Sequence, residues 1–123
     1  MANIRFALFC QSFTIHTKTI TYDLENIFDS INSSEFPLGA SFTVVIYWDT
    51  VKGEELNPIA SIWNIEGSLV GRQIRETFSM PIQNQVSFHF VECANLIPGI
   101  YSVDIKDSDG TTFATIPLDV KKI

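Results

Sequence analysis

The chain has 123 residues, with 8 Lys+Arg against 14 Asp+Glu, a formal net charge of -6, 46% hydrophobic residues and 18% charged ones. That length fits a single domain, since domains cluster near roughly 100–150 residues, and it buries roughly two-thirds of the unfolded surface without metal or disulfide staples. The apolar content excludes a disordered chain, and the acidic balance excludes nucleic acid as a general partner, because phosphate binding needs clustered Lys and Arg.

The elements follow a period of two. A first strand is predicted over 3–13, where Ile4, Phe6, Leu8 and Cys10 form one apolar face and Arg5 and Gln11 point the other way. Gln11 and Ser12 interrupt this run too early for a secretory signal, which needs an apolar region of roughly 7–15 residues. No segment reaches the ~20 apolar residues of a membrane helix, so no membrane partner is expected. A second strand is predicted over 18–31, with Ile27 and Ile31, four apart, leaving a short helix as the alternative. At 41–51, Phe42, Val44, Ile46 and Trp48 alternate with Thr43, Val45, Tyr47 and Asp49. Both faces there are apolar, which marks a central strand. Further strands are predicted at 58–65, 69–78, 84–94, 99–107 and 111–121.

Turn signals separate these runs, among them Lys52-Gly53-Glu54, Asn57-Pro58, Glu66-Gly67-Ser68, Pro98-Gly99 and Asp107-Ser108-Asp109-Gly110. The last suits a type I turn followed by a glycine at positive φ. Leu96-Ile97-Pro98-Gly99-Ile100-Tyr101 resembles a tyrosine corner, in which the phenol bonds back to a nearby backbone group. Short strands with regular turns predict an all-β fold: a two-sheet antiparallel β-sandwich, immunoglobulin-like or Greek-key, of about eight strands in one domain over 1–123.

The chain carries few of the patterns that do chemistry. Cys10 and Cys93 sit in apolar runs and read as two buried thiols in a reducing cytoplasm; an exported protein would instead join them. His89 and Cys93 share a strand face but stand roughly 13 Å apart at ~3.3 Å per residue, too far to chelate one zinc. Asp107 and Asp109 look like a fragment of a cation loop, yet Thr111, Thr112 and Phe113 follow where further oxygens are needed. Asp49, Glu54 and Glu55 are the further acids for a cation site assembled from several loops. No nucleophile motif accompanies His16 or His89, and both read as surface histidines, His89 on an outward strand face between Phe88 and Phe90. No phosphate loop occurs among the six scattered glycines. No catalytic residue, metal or cofactor is assigned.

The remaining lead is aromatic. With Trp48 in the core register, Thr43, Val45 and Tyr47 face outward, and with Trp63 they form the expected interaction face for a protein partner or a second copy. A second layer, loop or subunit covering that face is the competing reading. A small-ligand or carbohydrate-binding module is the alternative function and requires Trp48 or Trp63 to be open to solvent; a hydrolytic enzyme ranks last.

The chain resembles a family of short bacterial β-sandwich proteins with no assigned function. The likeness runs from the strand Ile4 to Cys10 through Leu24-Glu25-Asn26-Ile27-Phe28-Asp29-Ser30-Ile31, which looks like that family's Phe-Asp-x-Ile run. It continues through Phe36-Pro37, the strand at 42–48, Gly67 and Pro98-Gly99-Ile100-Tyr101. The family often has a glycine where Ile27 stands and a His-Pro pair where this chain has Leu38-Gly39-Ala40. The resemblance implies a sandwich and a bacterial source, and it implies no catalytic residue. Asp29 reads as an acceptor of backbone hydrogen bonds at a turn. Together these readings predict a non-catalytic interaction module of the bacterial cytoplasm.

Overall fold

The computed structural model describes residues 3–16, 18, 21–49, 57–79 and 84–123. These form nine strands: β1 (Asn3–His16), β2 (Thr21–Phe28), β3 (Ser30–Ser33), β4 (Leu38–Asp49), β5 (Pro58–Trp63), β6 (Leu69–Ser79), β7 (Asn84–Leu96), β8 (Gly99–Asp107) and β9 (Thr112–Lys122). No helix occurs among the described residues, so the fold is all-β.

The expected two-sheet sandwich of eight strands is corrected to one sheet of nine, in the order β2-β1-β4-β7-β6-β5-β8-β9-β3. Two features cause this. β6 forms a ladder with β7 on one side and with the end of β5 on the other, through Ser61↔Arg72, Ile62↔Gly71 and Trp63↔Leu69, and so joins what would have been separate sheets. The stretch expected as one strand over 18–31 breaks at Asp29. Its first half, β2, pairs with β1, while its second half, β3, pairs in parallel with β9 at the opposite edge. One residue therefore carries the chain from one edge of the sheet to the other, and the sheet nearly closes on itself. The short helix does not form.

The sheet curls around an apolar interior. Phe42, Val44, Ile46 and Trp48 of β4 meet Ala60 and Ile62 of β5, Val103 and Ile105 of β8, and Leu118 and Val120 of β9. β4 is central, between β1 and β7, as its two apolar faces predict. β6 and β7 approach so closely that a Cβ on Gly71 would lie 2.7 Å from Cys93 Sγ and 2.9 Å from the Glu92 carbonyl oxygen. The β8–β9 turn forms as its sequence requires: Gly110 has φ +93°, and its N–H donates to the Asp107 carbonyl at 2.9 Å. The tyrosine corner is also present. The Tyr101 hydroxyl accepts from the Ile97 N–H and donates to the Ile97 carbonyl, each at 3.0 Å.

β1 pairs with β4 only as far as Cys10↔Thr43. Beyond it, β1 and β2 continue as a two-stranded arm that folds over the outer face of β4 and β7. The ladder between them runs through Cys10↔Ile27 and Ser12↔Glu25 without a Gln11–Asn26 rung, and Asn26 has φ +54°. A left-handed residue in a strand reverses the side-chain alternation beyond it. Tyr22 and Leu24 consequently face the body of the protein, and Phe13 and Ile15 of β1 face it beside them.

Candidate functional site

The four residues of the expected interaction face do not form one open surface. Thr43 and Val45 are fully buried, where an outward, solvent-facing register had been expected. The cause is the arm. Phe13 stacks on Phe88 with ring centroids 4.0 Å apart, and Tyr22 lies 5.4 Å from the same ring. Cys10, Val45, Val86 and Phe88 thereby become a second small core on the outer side of the sheet. The Thr43 hydroxyl is left without a hydrogen-bond partner there. Tyr47 is half-buried and stacks on the half-exposed Phe6 at 4.2 Å. Burial above all pushes its phenol above the ordinary range. Trp63 stands apart, at the end of β5 opposite Ser102. Trp48 is fully buried and so offers no stacking platform.

His89 is also corrected: it is fully buried rather than on an outward surface. Both faces of β7 are covered, Phe88 by the arm and His89 by the interior. A polar chain surrounds the imidazole. The Ala60 N–H donates to Gln73 Oε1 at 2.9 Å, which fixes that atom as the acceptor. His89 Nδ1, 2.8 Å from the same oxygen, therefore carries the proton. Nε2 is then the acceptor and takes the Ser87 hydroxyl at 2.7 Å, while Ser87 Oγ accepts from the Trp48 indole N–H at 2.8 Å. Gln73 Nε2 continues the chain outward to Glu76 Oε2 at 3.2 Å. Burial pushes the imidazole pKa down to about 4 and raises the Glu76 carboxyl, the latter partly offset by its bond from Gln73. A bulge at Ile74 makes this possible, because Gln73 and Glu76, three apart, both turn towards His89. A Ser beside a neutral His is a nucleophile–base pair in outline. Here Ser87 is held by Trp48, both residues are fully buried, and Nδ1 meets an amide rather than a carboxylate.

His16 lies on the solvent side of the arm, with Nε2 2.6 Å from Asp23 Oδ2. The carboxylates of the β8–β9 turn serve the backbone. Asp107 Oδ1 accepts from the N–H groups of Asn57 and Ser108, and Asp109 Oδ1 accepts from Thr111, which holds the Asp109 carboxyl below its usual range. Glu54 and Glu55 lie outside the described residues, and among the described residues no three His, Cys, Asp or Glu side chains converge on one ion position. Cys10 and Cys93 are buried, unjoined thiols.

The strongest surface feature lies at one end of the curled sheet, where the β5–β6 and β7–β8 turns meet. Asn64 Oδ1 accepts from the Glu66 and Ser68 N–H groups, and Gly67, at φ +82°, donates to the Asn64 carbonyl. These bonds use the polar groups of the turn and leave Ile65 at its tip, 86% exposed. The Tyr101 corner does the same for the second turn, leaving Ile97 and Ile100 58% and 59% exposed. The three isoleucines, with Val70, surround a depression of about 160 Å³. Leu69, also exposed, follows directly on the first turn. Turn tips ordinarily carry Gly, Asn, Asp or Ser, so isoleucines there were the signal available in the sequence. A second apolar depression, about 550 Å³, follows the seam between β1 and β9 beside Ile27, Phe28 and Pro117.

No family model, curated protein or solved structure matches this chain.

Proposed function

We propose that the protein is a non-catalytic interaction module that docks a protein partner through the apolar end formed by Ile65, Leu69, Ile97 and Ile100. The observation that carries this is the clustering of exposed Ile65, Ile97 and Ile100 at two rigid turns around one depression, with exposed Leu69 following the first turn. Contiguous apolar surface on a small chain marks an interface more often than a scattered one does. The turns are pre-ordered by Asn64 and Tyr101, so little loop entropy is lost on docking. The net charge of -6 favours a partner with a basic rim and disfavours nucleic acid. We place the module in a bacterial cytoplasm, with support from the family resemblance and the two buried thiols. The Tyr101 corner supports relating the chain to Greek-key, immunoglobulin-like proteins.

The test compares the immobilised wild-type chain with an Ile65→Ser/Ile97→Ser/Ile100→Ser variant in a lysate of the source cells. All three positions are exposed, so the variant should keep the wild-type circular dichroism spectrum. A protein retained by the wild type and lost from the folded variant supports the reading. Identical retention by both, or by neither, overturns it.

A further inference from the structure

The arm is joined to the body in an unusual way. Among the described residues from Ser12 to Glu25 no strand ladder connects it to the rest of the sheet: β2 pairs with β1 alone, and β1 leaves β4 after Cys10. What seats it is side-chain packing, with Phe13, Ile15, Tyr22 and Leu24 laid on Val45, Phe88 and their neighbours. Its other side is polar and faces solvent, with Ser12 bonded to Glu25 and His16 to Asp23. The arm is thus an amphipathic ribbon attached by two strands. The Gln11–Asn26 rung is missing at the level where β1 leaves β4. Asn26 holds the turn-over with φ +54°, and the next residue, Ile27, is left 59% exposed.

We propose that this arm is exchanged between two copies of the chain, so that each copy's Phe13, Ile15, Tyr22 and Leu24 cover the other's Val45–Phe88 face. The contacts between arm and face are the same whether the two come from one chain or from two, so exchange sacrifices none of them. What changes is the hinge. With the arm extended, Asn26 returns to ordinary strand angles, which relieves the left-handed conformation. The occupant is a second copy because the face is shaped to this arm: Phe13 lies on Phe88 at 16° between ring planes. The exchange is reciprocal and closes as a two-fold dimer, without a free arm or a free face. Each copy carries a charge of -6, so added salt favours the dimer. The surface is distinct from the apolar end proposed above as the docking site, and the inference does not rest on that reading.

The test is light scattering on a sizing column with the full chain, across a range of concentrations, for the wild type, Asn26→Val and Asn26→Gly. A β-branched residue resists positive φ, whereas glycine adopts it freely. The wild type is expected to show a dimer that grows with concentration. Asn26→Val should raise the dimer fraction several-fold, and Asn26→Gly should return the chain to monomer. If Asn26→Val does not fold, the Asn26→Gly comparison decides alone. Three monomers at the highest concentration overturn the proposal. So does a dimer indifferent to residue 26, or one that disappears in the Ile65→Ser/Ile97→Ser/Ile100→Ser variant.

Discussion

His89 carries one proton in the folded protein, on Nδ1, and its environment resists a second. The unfolded chain protonates this imidazole near the ordinary pKa of 6.5, whereas the folded chain does so only near pH 4. The unfolded state therefore binds more protons between those values. The stabilisation is complete above pH 6.5 and is lost as pH falls towards 4. At about 1.4 kcal/mol per pH unit, the loss reaches about 3 kcal/mol. Glu76 acts in the opposite sense, because its raised carboxyl pKa lets the folded state hold a proton more readily as pH falls through the carboxylate range. Urea unfolding at pH 7.5 and at pH 4.5 measures the balance, and His89→Gln should remove most of the fall between pH 6.5 and 4.5. Period-two reading misplaced this residue for a physical reason. Alternation shows that two faces of β7 differ, but both are buried here, and the pattern does not say which is interior. The polar chain was hidden for a related reason: the bulge at Ile74 breaks the alternation of Gln73 and Glu76.

At the level of elements, the strands were legible because their apolar residues alternate and their turns carry Gly, Pro, Asn and Asp. The β8–β9 hairpin and the Tyr101 corner formed where those residues stand. Replacing Tyr101 with Phe keeps the buried ring and removes both bonds to Ile97. About 1–3 kcal/mol of stability should be lost, because the Ile97 N–H and C=O are left without that partner. Thermal unfolding measures it. The same variant should loosen the β7–β8 turn and weaken partner capture by the apolar end. The arm was not legible. It depends on one asparagine taking a left-handed angle in the middle of a strand, and nothing in the hydrophobic pattern of 21–28 marks that residue. The joining of the two halves was equally hidden, since β6 meets β5 over only a few residues near Gly71 and Leu69.

For the whole molecule, the two thiols report two different openings. Cys93 belongs to the interior and Cys10 to the outer cluster beneath the arm. Burial raises both pKa values, that of Cys93 to about 12. Neither thiolate is available in the closed protein, so reaction with a thiol reagent follows the opening of structure. Both should react at once in denaturant. Under native conditions Cys10 should react faster than Cys93, because lifting the arm uncovers it while Cys93 awaits opening of the interior. Equal native rates would mean that arm and body open as one unit.

The placement of β3 against β9 has a consequence for synthesis. The segment after Phe28 finds its parallel partner only in Asp119–Lys122, far along the sequence. Until those residues leave the ribosome, the edge formed by β8 is unpaired and the interior beside Tyr101 and Val103 lacks Leu118 and Val120. Pairings this distant in sequence form slowly and leave apolar surface uncovered in the meantime. Until β9 pairs on both of its sides, an open strand edge and an uncovered interior invite association with other chains.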